Sequence, residues 1–489
     1  MSVHRPILWQ LLKHPRSVAL VDDRRTTRNF ELLVAIAHIG QRLETLNQTQ
    51  RLGLLLPTGG TFPAAALAGM SLGRTIVPLN YLLKKEELQY VIDDCGTDTV
   101  VTVRPMLEHL GYTPKVKNIL MLEDVDFSGF PDFRWPAPAA DDDLAVLLYT
   151  SGTSGKPKGV MLTHGNLSAN IQQIRDWVDF SRADSMLGVL PQFHSFGMTV
   201  LTFLPLSGGI RVIYTARFVP GKIVRLLREH RPTVLVAIPS MYNALLHAKD
   251  ATADDFRTLR YTVSGGEPLP STVREKFRER FGVTINEGYG LTETSPVSNW
   301  CRPHEFRPGS VGKPIPLVDQ RIVDSNGRSL PPNTDGEVWM KGPNIMKGYY
   351  NLPEETARAF SPNGYFRTGD IGRFDDDGHL HITGRLKEML IVGGENVFPR
   401  EIEEVLDRHP SVHASGVVGM NDPMRGELPI AFVEIREGQS FDEKELIAWC
   451  RQSLAGYKVP TEIRRLDALP RNPTGKIMRR ELRSLAAKS

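Results

Sequence analysis

Short apolar runs alternate with amphipathic stretches along most of the chain, and this alternation predicts an α/β protein with parallel strands. LAVLLY (Leu144–Tyr149) is apolar at consecutive positions, as a strand buried on both faces should be. Further on, Leu167, Ile171, Ile174 and Val178 recur at helical spacing. Between these two patterns lies YTSGTSGKPKG, residues 149 to 159. The pattern therefore predicts a polar loop between a buried strand and a helix, where open sheets bind ligands.

The pattern changes near residue 384. FDDDGHLHITG reads as two strands turned at Asp377-Gly378, and Glu388–Val392 as another strand. GGEN then turns the chain, and Pro399 opens a helix carrying Ile402, Val405 and Leu406. Two strands, Ser415–Met420 and Ile430–Ile435, and a helix, Glu443–Leu454, follow. A chain of 489 residues is too long for one core. The expectation is a large N-terminal domain, 1–384, with parallel-sheet layers, and a small α+β domain, 385–489.

Composition narrows the class. The chain is 41% hydrophobic and 24% charged, with a net charge of +3, too small an excess for a dedicated nucleic-acid binder. Three scattered cysteines, Cys95, Cys301 and Cys450, form no CxxC pair, so neither a disulfide framework nor a cysteine zinc site is expected. A reducing, cytoplasmic setting fits. The N-terminus lacks a signal-peptide core, and the apolar stretch Phe196–Leu206 is too short to span a bilayer. Peripheral membrane contact stays open.

The loop itself suggests an anion. Small residues let backbone N–H groups approach, hydroxyls add donors, and lysines neutralise phosphate charge. A flexible, polar surface loop is the plain alternative. The spacing is not a Walker loop: Gly152 and Gly155 are two residues apart, and Pro157 follows Lys156. No GxGxxG is present. FHSFG (Phe193–Gly197) lacks the first glycine of a serine-hydrolase elbow. His409 and His413 straddle Pro410 with no third ligand in sequence, and His379 and His381 read as ordinary strand surface.

SGGEPLP (264–270), NEGYGLTE (286–293), YFRTGD (365–370), GRLKEMLIVGGENVFPREIE (384–403) and NPTGKIMRRE (472–481) follow the loop in order. Over roughly residues 10 to 485, the chain resembles the acyl-adenylate-forming superfamily of acyl-CoA synthetases, luciferases and peptide-synthetase adenylation domains. The resemblance implies a mobile C-terminal lid and two half-reactions. A carboxylate attacks the α-phosphate of ATP and expels pyrophosphate; a thiol then attacks the acyl-adenylate and expels AMP. Because an anion meets a polyanion in the first step, preorganised cations and donors carry it.

The resemblance also implies roles. Thr150, Ser151, Gly152, Thr153, Ser154, Gly155 and Lys158 would hold the β- and γ-phosphates. Glu293 corresponds to the Mg²⁺ ligand and Thr292 to an α-phosphate donor. Gly265, Gly266, Glu267 and Pro268 would wall the adenine, with Tyr289 stacking on it beside Gly290. Asp370 would accept the ribose hydroxyls and Arg385 help to hold them, while Asp375 to Asp377 read as a solvated turn. Lys476 would bridge the carboxylate and the α-phosphate. Lys387 would be the pivot of the lid, after whose rotation Gly393 and Gly394 line a tunnel for the pantetheine arm of CoA. A bland hairpin turn is the alternative for this glycine pair.

The acid is only partly legible. Ser195 stands where amino-acid-activating relatives carry an aspartate, which weakens an amino-acid substrate. His194 matches the histidine at the carboxylate end of the pocket in fatty-acyl and aryl synthetases. It reads as a positioning group, since a carboxylate needs no deprotonation at neutral pH. Acetyl-CoA synthetases close the pocket with a tryptophan where this chain has Gly290. An open floor is therefore expected, lined by Ala237, Pro239, Met241, Val263 and Val297. Each further buried methylene contributes about 0.8 kcal/mol, so longer chains are favoured. GPNIMKGYY (342–350) also resembles fatty-acid-activating members. The reading is a medium- to long-chain fatty acid–CoA ligase using ATP, Mg²⁺ and coenzyme A. The alternatives are an aryl-acid CoA ligase, a ligase loading an acyl carrier protein, and an inactive nucleotide-binding relative.

Overall fold

The computed structural model describes residues 2–150, 156–471 and 477–487. Among them, two layered sheets make up most of the N-terminal body. In one, the parallel strands Asn118–Met121, Thr99–Thr102, Arg51–Leu55, Thr75–Pro78 and Leu144–Thr150 lie in chain-crossing order, and Lys158–Thr163 and Gly348–Tyr349 extend the edge antiparallel. In the other, Val18–Val21, Arg211–Tyr214, Ser185–Gly188, Val234–Ala237, Tyr261–Ser264 and Asn286–Gly290 run parallel. Leu147, Val146, Leu235 and Val234 are fully buried, as their apolar runs require.

A third, antiparallel sheet joins Asp319–Val323, Gly336–Lys341, Phe366–Phe374 and Leu380–Arg385. Its last strand leads into a short turn, Leu386–Glu388. Beyond it lies the C-terminal sheet of Glu395–Val397, Leu390–Val392, Gly426–Ile435 and Val412–Asp422, with Glu462–Arg465 parallel to Gly426–Ile435. Buried apolar residues follow the same division. One cluster runs from Val3 to Leu380; two smaller ones take in only residues from Leu390 onward.

One expectation is corrected. The glycine-rich loop follows the strand Leu144–Thr150 but does not lead into a helix. The next described element is the strand Lys158–Thr163, which pairs antiparallel with Leu144–Thr150, Thr150 opposite Lys158. The helix His164–Trp177 begins only afterwards, capped by Thr163, whose hydroxyl accepts from Asn166 N at 3.1 Å. The reason is local. Gly159–Thr163 is an apolar run with β-branched residues, suited to a buried strand, and helical spacing starts only at Leu167. His379 also departs from expectation: it precedes its strand and is buried, with Asp375 3.6 Å away. Asp375 is less solvated than expected, since it accepts from the N–H of His379 at 2.8 Å.

Candidate active site

A cleft of about 1030 Å³ lies between the N-terminal body and the C-terminal unit. Gly266, Glu267, Pro268, Tyr289, Gly290, Asp370 and Arg385 all line it, so residues more than a hundred positions apart in sequence converge on one cleft. From the C-terminal side it is faced by Arg400, Glu403, Asp407, Arg471 and Arg479, among others.

Asp370 sits on the strand Phe366–Phe374, directly opposite Arg385. Its side chain is 3% exposed. Oδ1 takes the Arg385 Nε at 2.8 Å, and Oδ2 accepts from the Tyr289 hydroxyl at 2.6 Å. A buried carboxylate with both oxygens engaged is held in one orientation, and each oxygen retains a lone pair for a further donor. Burial, and next the Asp370 charge, hold the Tyr289 phenol well above its usual range.

The turn after Tyr261–Ser264 forms the adjoining wall. Gly266 has φ +83°, a conformation that favours glycine. Gly265 is buried, and a Cβ there would stand 3.0 Å from the Phe196 ring. Beneath the turn lies an ion pair absent from the sequence reading. Arg274 and Glu287 meet at 3.1 Å, both less than a tenth exposed, and Glu287 Oε2 accepts from Leu269 N. Burial pushes the Glu287 carboxyl above its usual range, against the pull of Arg274.

Lys158 and Glu293 form a separate corner. The Lys158 ammonium pairs with Glu355 at 2.7 Å and lies 5.5 Å from the centroid of the Tyr349 ring. The Tyr349 hydroxyl donates to Glu293 Oε1 at 2.9 Å. Burial holds the Glu293 carboxyl above its usual range. Next to it, the hydroxyls of Thr292 and Ser195 are 3.3 Å apart and buried. Thr150 stands half-buried at the end of its strand. His194 is exposed and caps the short helix Ser195–Met198, its Nδ1 accepting from Phe196 N at 3.4 Å. Ser151 to Gly155 lie outside the described residues.

Among the described residues no group of three or more His, Cys, Asp or Glu could hold a metal ion. Glu293 is a single hard oxygen donor that shares Tyr349 with Lys158. This fits Mg²⁺, which is commonly bound through one or two carboxylates plus substrate phosphates rather than by a protein cage.

Lys387 is exposed in the turn between the two units. Two contacts span it. A Cβ at Gly384 would come within 2.5 Å of the Phe398 ring, and the Arg400 guanidinium donates to the carbonyl of Ile382. Within the C-terminal unit, Arg479 bridges Glu388 at 3.1 Å and Glu403 at 2.9 Å. Gly393 and Gly394, at φ +62° and +89°, form an exposed hairpin turn away from the cleft. Lys476 lies outside the described residues; Arg471 and Ile477, on either side, both line the cleft.

Gly290 does not form an open pocket floor. A Cβ there would be 1.7 Å from the Pro296 carbonyl oxygen, because Asn286–Gly290 folds back on Val297–Trp300 at this point. A side chain at 290 would run into backbone, not into a channel. Of the five expected lining residues, Pro239 faces the cleft, while Ala237, Val263 and Val297 are buried in the core. Glu355, Tyr349 and Arg274 were missed. Only GPNIMKGYY, which ends in Tyr349 and Tyr350, carried a signal, and it concerned no contact.

The comparisons agree with this geometry. The AMP-binding enzyme family matches residues 7–350, and the AMP-binding enzyme C-terminal domain matches residues 401–476. The chain is similar to a feruloyl-CoA synthase of Amycolatopsis sp, 35% identical over 448 residues, covering 91% of this chain and 90% of the relative. It is likewise similar to a long-chain-fatty-acid–CoA ligase of Bacillus subtilis, 34% identical over 483 residues, covering 89% and 86%. Its fold matches ATP-bound MatB from Rhodopseudomonas palustris with a TM-score of 0.91 at 30% identity, covering 100% and 99% of the two chains. The chain belongs to the AMP-binding enzyme family and is an acyl-adenylate-forming, AMP-forming acyl-CoA synthetase. ATP, CoA and a carboxylic acid are the substrates this class implies. No helix among the described residues is long and apolar enough to cross a membrane.

Proposed function

We propose that this enzyme activates medium- to long-chain fatty acids. The observation that carries the reading is the uncharged segment that runs on from the Ser195–Thr292 hydroxyl pair. From Ser195 to Leu206 the chain carries no charged residue and is buried at every position except Phe196, which is half-buried. A charged second group on the acid would be desolvated there without a counter-ion, at a cost of several kcal/mol. An alkyl chain incurs no such cost. A second reading, an aryl acid, draws on the half-buried Phe196 ring next to Gly265 and on the feruloyl-CoA synthase relative.

In this reading Asp370 and Arg385 hold the ribose, Tyr289 and Gly265 to Pro268 the adenine, and Thr150 to Gly155 with Lys158 the β- and γ-phosphates. Thr292 donates to the α-phosphate, and His194 positions the acid. Glu293 holds Mg²⁺, which would neutralise phosphate charge when bound. Lys476 acts in adenylate formation. The domain boundary falls at 384/385, Lys387 is the pivot, and Gly393 and Gly394 take up the pantetheine arm after rotation. The thiol acceptor is CoA, with an acyl carrier protein as the alternative, and a cytoplasmic setting agrees with three buried free cysteines.

A panel of carboxylic acids read by pyrophosphate release, repeated with CoA and with acyl carrier protein, tests the reading. Dodecanoate turned over faster than ferulate and propionate supports it. Preference for ferulate would replace it by the aryl reading, and no pyrophosphate with any acid would leave only nucleotide binding.

A further inference from the structure

Tyr349 touches two groups that the sequence assigns to separate tasks. Its ring lies beneath the Lys158 ammonium, and its hydroxyl meets Glu293 Oε1 at 2.9 Å. The residue is itself held from the backbone. Tyr349 pairs antiparallel with Val160 on the strand that leaves the phosphate loop, and its N–H donates to Thr356 Oγ1 at 2.9 Å. Met346 N donates to the Glu293 carbonyl at 2.8 Å, so the same segment also fixes the backbone of Glu293. The segment 346–356 thus supports both charged groups of this corner.

An ionised carboxylate only accepts, and its two oxygens offer about four acceptor sites. A phenol donating to Oε1 selects one orientation and leaves the lone pairs of Oε2 for another partner. Groups that hydrogen-bond a metal ligand in this way set its direction and its basicity. The ring does something different for Lys158. With Glu355 it confines a flexible four-carbon side chain, whose freedom would otherwise be lost only on meeting phosphate.

We infer that Tyr349 is a positioning residue of the metal–triphosphate site, orienting Glu293 through its hydroxyl and Lys158 through its ring. The inference rests on the reading of Glu293 as the Mg²⁺ ligand. Because the two contacts use different parts of one side chain, they can be separated.

The test is calorimetric titration with ATP, without acid or CoA, in EDTA and over a range of Mg²⁺ concentrations. Mg²⁺ should tighten ATP binding to the wild type. Tyr349→Phe keeps the ring, so its affinity in EDTA should stay within about twofold of wild type. The Mg²⁺ concentration for half-maximal tightening should rise roughly 10–100-fold, the usual effect of losing such a partner. Tyr349→Leu should in addition weaken binding in EDTA. In a Glu293→Gln background, Tyr349→Phe should add less than about twofold, a non-additivity that a merely structural role would not produce. Wild-type Mg²⁺ dependence in Tyr349→Phe, or equal loss with and without metal, overturns the inference alone. A wild type whose ATP affinity ignores Mg²⁺ overturns the reading of Glu293 and the inference together.

Discussion

The Tyr289 hydroxyl donates to Asp370 at 2.6 Å, on a carboxylate whose other oxygen takes the Arg385 guanidinium at 2.8 Å. A group on the strand Asn286–Gly290 and one on Leu380–Arg385 thereby set a single acceptor before any ligand arrives. Preorganisation of this kind lowers the ordering cost of binding.

Asp370→Asn should therefore weaken ATP binding. A hydrogen bond to a charged group contributes about 1.5–3 kcal/mol, so a loss of roughly 10–100-fold is expected. Tyr289→Phe, which leaves the carboxylate its Arg385 partner, should cost less. Fluorescence titration with ATP measures both; an unchanged Kd in Asp370→Asn would remove this residue from the nucleotide site.

Gly290→Ala should destabilise the fold rather than shift chain-length preference. The new Cβ would stand 1.7 Å from the Pro296 carbonyl, and backbone cannot yield as a flexible side chain can. Overpacking of this kind typically costs about 1–3 kcal/mol. Denaturant unfolding is the measurement, and wild-type stability in this variant contradicts the backbone contact.

The two contacts across Lys387 belong to the observed arrangement of the domains. Gly384→Ala should push the Phe398 ring aside and slow adenylate formation more than thioester formation from synthetic acyl-AMP and CoA. Lys387→Pro should act the other way, since a φ fixed near −65° restricts the swing. It should slow thioester formation more. If both variants slow both half-reactions equally, the turn is not the pivot.

His4 is fully buried, edge-on to His164 with ring centroids 5.4 Å apart, and neither ring nitrogen of His4 has a hydrogen-bond partner. Burial pushes His4 down to about 3 and His164 to about 4. Between those values and the ordinary 6.5, the unfolded chain binds more protons than the folded one, so stability falls as pH falls. Stability is complete above about pH 6.5 and erodes towards pH 3. His4→Leu should flatten this acid branch and raise stability at pH 5 by about 1–3 kcal/mol. Melting curves at pH 8 and pH 5 check it; an unaltered difference between them counts against burial as the cause.

Lys476→Ala should cripple adenylate formation by at least about 10²–10³-fold, the cost of losing one preorganised donor. Thioester formation from synthetic acyl-AMP should proceed at nearly the normal rate. Comparable slowing of both steps in a well-folded variant would take Lys476 out of the catalytic set.

The sequence by itself determined the layered α/β body, the change of pattern near residue 384 and the order of the motifs. These rest on local signals: apolar runs such as LAVLLY, helical spacing at Leu167, Ile171 and Ile174, and glycines where the backbone turns left-handed, as at Gly266 and Gly394. Only the tertiary structure decided which residues meet. Lys158 and Glu355 are 197 positions apart, Tyr349 and Glu293 56, and no periodicity records a contact at such separations. It also decided the meaning of Gly290. In sequence a glycine there reads as space for substrate; in the fold that space is filled by the Pro296 carbonyl, because two antiparallel strands shift register at this point. Pairing between strands is a long-range choice, made by burial of the whole sheet and not by the residues that border one gap.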